Sequence, residues 1–128
     1  MKNTSKIRVI VIDDDHDILD MVTIFLQSMG CDVVGTACDG QAGYDVFKAQ
    51  QPDLTLLDIK MPVMNGLETL KKIHHDQEDS PIFMLTSVDD TTIAEHCCHA
   101  GAKGWLRKDM DPEGLKMRLQ DVVNEVCP

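Results

Sequence analysis

The sequence predicts a single α/β domain built on a five-stranded parallel sheet. Two observations carry this. Short apolar runs alternate along the chain with segments of helical period, the mark of βα units. Four of the runs lead directly into a polar residue suited to chemistry: Asp13, Asp58, Thr86 and Lys108. In an open parallel sheet the carboxyl ends of the strands form one edge, and ligands bind there.

Five strands are expected at about 7–12, 32–37, 53–57, 82–85 and 103–107, each followed by a helix. The first run, Ile7-Arg8-Val9-Ile10-Val11-Ile12, is the most apolar and ends at Asp13-Asp14. The helix after it carries Ile18, Leu19, Val22, Phe25, Leu26 and Met29 on one face, and Gly30 closes it. Asp39 can cap the second helix, which carries Ala42, Val46 and Phe47. The third strand, Leu54-Thr55-Leu56-Leu57, meets Asp58, and Asn65 can cap the helix bearing Leu67, Leu70 and Ile73. Ile82-Phe83-Met84-Leu85 meets Thr86, and Asp89 or Asp90 opens a helix with Ile93, Ala94, Cys97 and Cys98. Gly104-Trp105-Leu106-Arg107 meets Lys108. Asp111-Pro112 then pairs an N-cap with the residue best suited to a first helical position. Leu115, Leu119, Val122, Val123 and Val126 line that last helix, and no output domain is expected within the 128 residues.

Bulk properties exclude several classes. The formal net charge of −10 argues against direct nucleic acid binding, which needs a basic face. No apolar run reaches the roughly 18 residues of a membrane span. The first residues lack the apolar stretch of a secretory signal. Five cysteines, an odd number without framework spacing, fit reduced thiols in a cytoplasmic protein. Gly35, Gly40 and Gly43 make no phosphate loop. Glu95-His96-Cys97-Cys98-His99 looks like a metal cluster, but neighbouring helical residues point about 100° apart and cannot converge. Cys97 and Cys98 read as small apolar packing groups.

The strand-end groups make a coherent site. Clustered carboxylates repel one another unless a cation neutralises them. Mg²⁺ suits such a cleft, because it takes one or two carboxylates and keeps positions for phosphate oxygens. Asp58 is the candidate nucleophile, alone on a central strand, with Lys108 offsetting charge on the transferring oxygens. Taken singly, each residue has an ordinary reading: a helix cap for Asp14 or Asp15, a turn for Thr86-Ser87, a solvated charge for Lys108. Their gathering on one edge of one sheet is what favours chemistry.

The chain resembles the receiver domain of two-component response regulators over essentially its full length. The likeness rests on Val11-Ile12-Asp13-Asp14-Asp15, Leu56-Leu57-Asp58-Ile59-Lys60-Met61-Pro62, Asn65-Gly66, Leu85-Thr86-Ser87, Ala100-Gly101-Ala102 and Lys108. It implies a flavodoxin-like, doubly wound (βα)5 sandwich with strand order 2-1-3-4-5. It implies that Asp58 accepts a phosphoryl group from a sensor histidine kinase or phosphotransfer protein. Asp13, Asp14, Asp58 and the Lys60 carbonyl would hold Mg²⁺, while Thr86 and Lys108 would bind the phosphoryl group. Thr86 and Trp105 would relay the change to the surface of helix four, strand five and helix five, read by a downstream effector or output domain. A phosphorylation-linked homodimer is compatible with that surface. Many members carry Lys-Pro after strand five, whereas here the pair is Lys108-Asp109, so a trans peptide is expected. Lys60 and Val88 flank the approach of a hydrolytic water, which predicts slow loss of the phosphoryl group.

Two rival classes remain. An Asp-nucleophile hydrolase of the haloacid dehalogenase type would place its nucleophile after the first strand and carry a cap insertion. A degenerate receiver used as a scaffold would have lost the acid pair, Asp58 or Lys108.

Overall fold

The computed structural model describes residues 6–126, without the side chain of Val88. Five strands alternate with helices: β1 (Arg8–Ile12), α1 (His16–Ser28), β2 (Asp32–Ala37), α2 (Gly40–Gln50), β3 (Leu54–Asp58), α3 (Gly66–Asp76), β4 (Ile82–Thr86), α4 (Thr91–His99), β5 (Gly104–Arg107) and α5 (Pro112–Val126). A 3-10 turn, Val88–Asp90, leads into α4. The strands are parallel and ordered β2-β1-β3-β4-β5, as the resemblance implied.

The layers follow from alternation along each strand. Val9 and Val11 of β1, with Leu54, Leu56, Phe83, Leu85 and Leu106, face α1 and α5. Ile10 and Ile12, with Leu57, Ile82 and Met84, face α2, α3 and α4. Both sheet faces are therefore covered, which explains why the central strands read as unbroken apolar runs.

Asp58 and Thr86 are the last residues of β3 and β4 rather than the first residues beyond them, so both hold strand geometry. Asp15 caps α1 by accepting from the Asp17 N–H at 2.9 Å, and Asp39 caps α2 through the Ala42 N–H at 2.8 Å. Asn65 and Glu68 form a capping box on α3. Asp90 occupies the N-cap position of α4 but makes no side-chain cap bond, a departure from the expected helix opening. The described residues contain no cis peptide, in line with a trans Lys108–Asp109 bond.

Candidate functional site

Sheet register assembles the site. Ile12 lies opposite Leu57, so the next residues, Asp13 and Asp58, fall side by side at the carboxyl edge. Asp58 is opposite Leu85 and Thr86 opposite Arg107, which brings β4 and the residue after β5 to the same edge. The Lys108 N–H donates to the Thr86 carbonyl at 2.8 Å, fixing the point where the lysine turns inward.

Carboxylate oxygens of Asp13, Asp14 and Asp58 all lie within 4.8 Å of one another. Lys108 Nζ sits 3.0 Å from Asp13 Oδ2 and 2.9 Å from Asp58 Oδ1. Asp13 and Asp58 are buried, and Asp14 is exposed at the mouth. Asp13 Oδ1 accepts from the Asp15 N–H at 2.9 Å, and Asp58 Oδ1 accepts from the Ile59 N–H at 2.8 Å. Asp58 Oδ2, by contrast, is buried without a hydrogen-bond partner. An anionic oxygen in that position calls for a cation or a reaction partner.

The electrostatics agree. Burial pushes the Asp58 carboxyl up to about 7, aided by the neighbouring Asp13 charge and opposed by Lys108. Burial also raises Asp13, against the bonds from the Asp15 amide and Lys108. Burial works against the Lys108 ammonium, yet its bonds to Asp58 and Asp13 outweigh that and raise its pKa. Two buried acids share one fixed cation, so the cleft is short of positive charge. Three converging oxygen donors, one with an open buried oxygen, fit a hard divalent ion such as Mg²⁺.

Around this centre the expected residues divide. Thr86 is buried at the cleft wall, but its hydroxyl donates to the Ser87 carbonyl at 3.0 Å and points no bond at Asp58. Lys60 lies in the β3–α3 loop. Its ammonium meets Asp90 Oδ1 at 3.1 Å, and its side chain is 71% exposed. The Val88 side chain, invoked beside it, lies outside the described residues. Trp105 is half-buried against the face that packs on α4, while Arg118 Nη2 donates to its carbonyl at 3.2 Å. Among the described residues the histidines and cysteines of α4 join no metal-ligand cluster. The sequence reading missed Asp90 as more than a cap and Ser87 as its partner; an acid three residues after Ser87 was the available signal.

Gly66 shapes the loop between acceptor and α3. Its N–H donates to the Ile59 carbonyl at 2.7 Å, and a Cβ there would lie 2.1 Å from the Asp58 carbonyl oxygen. Only glycine permits that approach. Val63 in the same loop takes a left-handed φ of +69° while 82% exposed, an outlying geometry for a β-branched residue.

Comparison with known proteins gives a consistent picture. The family model described as "Response regulator receiver domain" matches residues 9–120. The nitrate/nitrite response regulator protein NarL of Escherichia coli K12 is 38% identical over 112 residues, 86% of this chain and 52% of that protein. The DNA-binding response regulator MtrA of Mycolicibacterium smegmatis is 33% identical over 120 residues, 92% of this chain and 51% of that protein. A protein-glutamate methylesterase/protein-glutamine glutaminase of Clostridium acetobutylicum is 34% identical, across 94% of this chain and 36% of its own length. The chain thus spans about half or less of these relatives. Among solved structures, the chemotaxis response regulator CheY4 of Vibrio cholerae superposes with a TM-score of 0.81 at 33% identity, covering 92% of this chain and 99% of that one. A CheX-CheY-BeF3-Mg+2 complex from Borrelia burgdorferi gives 0.84 at 25% identity, covering 92% and 90%.

Proposed function

The chain belongs to the response regulator receiver domains, phosphoacceptor switches of two-component signalling, and from that premise we propose that Asp58 is its phosphoacceptor. The observation that carries this is the Asp58 carboxylate itself: buried, held at Oδ1 by Lys108 and the Ile59 amide, and open at Oδ2.

The chemistry follows from that geometry. An Asp58 oxygen attacks phosphorus of the donor, forming a new O–P bond. The donor's bond to phosphorus breaks, and its electron pair leaves with the donor group. Lys108 remains charged and offsets the transferring oxygens. Burial restricts competing water and fixes the nucleophile in one orientation. Asp13, Asp14 and Asp58, with the Lys60 carbonyl, would hold Mg²⁺. Bound there, the ion supplies the missing positive charge beside the acids and the phosphoryl oxygens.

In the phosphorylated state the Thr86 hydroxyl, now on the Ser87 carbonyl, turns to the phosphoryl group, and Trp105 follows inward. The face of α4, β5 and α5 changes shape, which is the output. The donor is a sensor histidine kinase or a phosphotransfer protein, and the reader is an effector or output domain. A homodimer through the same face is one form that output takes. The domain turns over no substrate beyond its own phosphoryl group, binds no nucleic acid directly and works in the cytoplasm. No helix among the described residues is long and apolar enough to cross a membrane.

Intact-mass measurement after incubation with acetyl phosphate tests this reading. The wild-type chain should gain one phosphoryl group with Mg²⁺ and none with a chelator. Asp58→Asn should gain none. Full labelling of Asp58→Asn would refute the assignment.

A further inference from the structure

An aspartate at a helix N-cap ordinarily accepts a hydrogen bond from a first-turn amide. Asp90, at the start of α4, does not. Its Oδ1 takes the Lys60 ammonium at 3.1 Å, and its Oδ2 accepts from Ser87 Oγ at 3.1 Å. The residue is only 7% exposed. A nearly buried carboxylate has given up its own helix to join two loops. One is the β3–α3 loop, where Lys60 lies two residues after Asp58. The other is the β4–α4 loop, where Ser87 follows Thr86 and accepts its hydroxyl at 3.0 Å. Lys60 also lines a hollow of about 290 Å³ with Ile59, Met61, Asn65, Leu67 and Ile93 of α4.

We propose that Asp90 is a positioning residue for the phosphorylated state: it holds the Lys60 ammonium away from Asp58 and thereby keeps the acyl phosphate open to water. The inference rests on Asp58 being the acceptor. A phosphoryl group brings about −1.5 to −2 charge to the cleft. Lys60, long-stemmed and two residues after Asp58, has its ammonium on Asp90, whereas Lys108 is held by Asp13 and Asp58. With Asp90 present, the ammonium has an anionic partner outside the cleft. Without it, the ammonium settles on the phosphoryl oxygens and covers the face opposite the Asp58 bond. Hydrolysis needs that face. The water oxygen bonds to phosphorus, the bond from phosphorus to the Asp58 oxygen breaks, and its electron pair returns to the carboxylate. Phosphate leaves, and the excess proton passes to solvent.

The test is the decay of phosphoprotein after donor removal, with Mg²⁺ present, in wild type, Asp90→Asn, Lys60→Met and the double variant. Asp90→Asn should decay about threefold more slowly, the kinetic size of a partly screened ion pair. Asp90→Glu, which keeps the charge, should return towards the wild-type rate. The double variant should match Lys60→Met, because the Asp90 effect acts through that lysine. An Asp90→Asn rate equal to wild type overturns the inference, as does equal slowing in the Lys60→Met background. Lys60→Met removes the ammonium from the exposed end of the pair and sets the rate against which the double variant is compared. Faster decay there means Lys60 already shields the group, and also overturns the inference. A wild-type chain that takes up no phosphoryl group overturns the acceptor reading and this inference with it. Uptake with unchanged decay overturns the inference alone.

Discussion

Replacing Asp58 by asparagine should make the unphosphorylated protein more stable at pH 8 in the absence of divalent ions. Asparagine keeps an oxygen for Lys108 and the Ile59 amide, the two partners of Asp58 Oδ1. It removes a charge that burial and Asp13 oppose and that Lys108 offsets incompletely. The folded-state carboxyl titrates at about 7 against an ordinary value of 3.8, a gap equivalent to on the order of 4 kcal/mol. Part of that belongs to the coupled Asp13 and Lys108, and asparagine loses the attraction to the ammonium. A net gain of about 2 kcal/mol, or roughly 8 °C in Tm, is therefore expected. The sign with pH is definite. A raised carboxyl binds its proton more tightly in the folded state, so the Asp58 contribution to wild-type stability is highest below about 4 and is lost as pH rises towards about 7. Asp58→Asn lacks this loss. Thermal unfolding in a chelating buffer should show the two proteins close together below about pH 4 and progressively separated up to pH 8. An Asp58→Asn protein no more stable than wild type at pH 8 would refute the reasoning, as would a gain independent of pH.

Millimolar Mg²⁺ should raise the wild-type melting temperature by binding the folded state, and Asp14→Ala should lose most of that rise; a melting temperature indifferent to Mg²⁺ would contradict the site. A beryllofluoride mimic should change the emission and quencher accessibility of Trp105, the single tryptophan, as the proposed relay requires. An unchanged spectrum at full occupancy would remove the relay. Val63→Gly should stabilise the fold by about 1 kcal/mol in urea unfolding, relieving the left-handed β-branched geometry at an exposed site. Gly66→Ala should destabilise by several kcal/mol, since its Cβ meets the Asp58 carbonyl.

The sheet was legible because both of its faces are covered. Runs such as Ile10-Val11-Ile12 and Leu56-Leu57 show no polar alternation, and each ends abruptly in a polar group. Strand order was a different matter. Nothing local in β2 says that it pairs with β1 and not β3, so the order came from resemblance. Helix openings at Asp39 and Asn65 were readable from the cap residue. Asp90 was not, since the choice between capping α4 and pairing with Lys60 depends on a loop thirty residues upstream. The gathering of Asp13, Asp58 and Lys108 follows from strand ends. The open oxygen of Asp58 and the Thr86 bond to Ser87 are products of three-dimensional packing that no spacing reveals.

Locating the modified residue tests the central claim most directly. The chain is incubated with acetyl phosphate and Mg²⁺, treated with borohydride to reduce the acyl phosphate, digested, and sequenced by mass spectrometry. Homoserine at position 58, dependent on Mg²⁺ and absent from untreated protein, is the predicted result. Homoserine at Asp13 or Asp14, or none at 58 despite a gain of phosphoryl mass, would contradict the account.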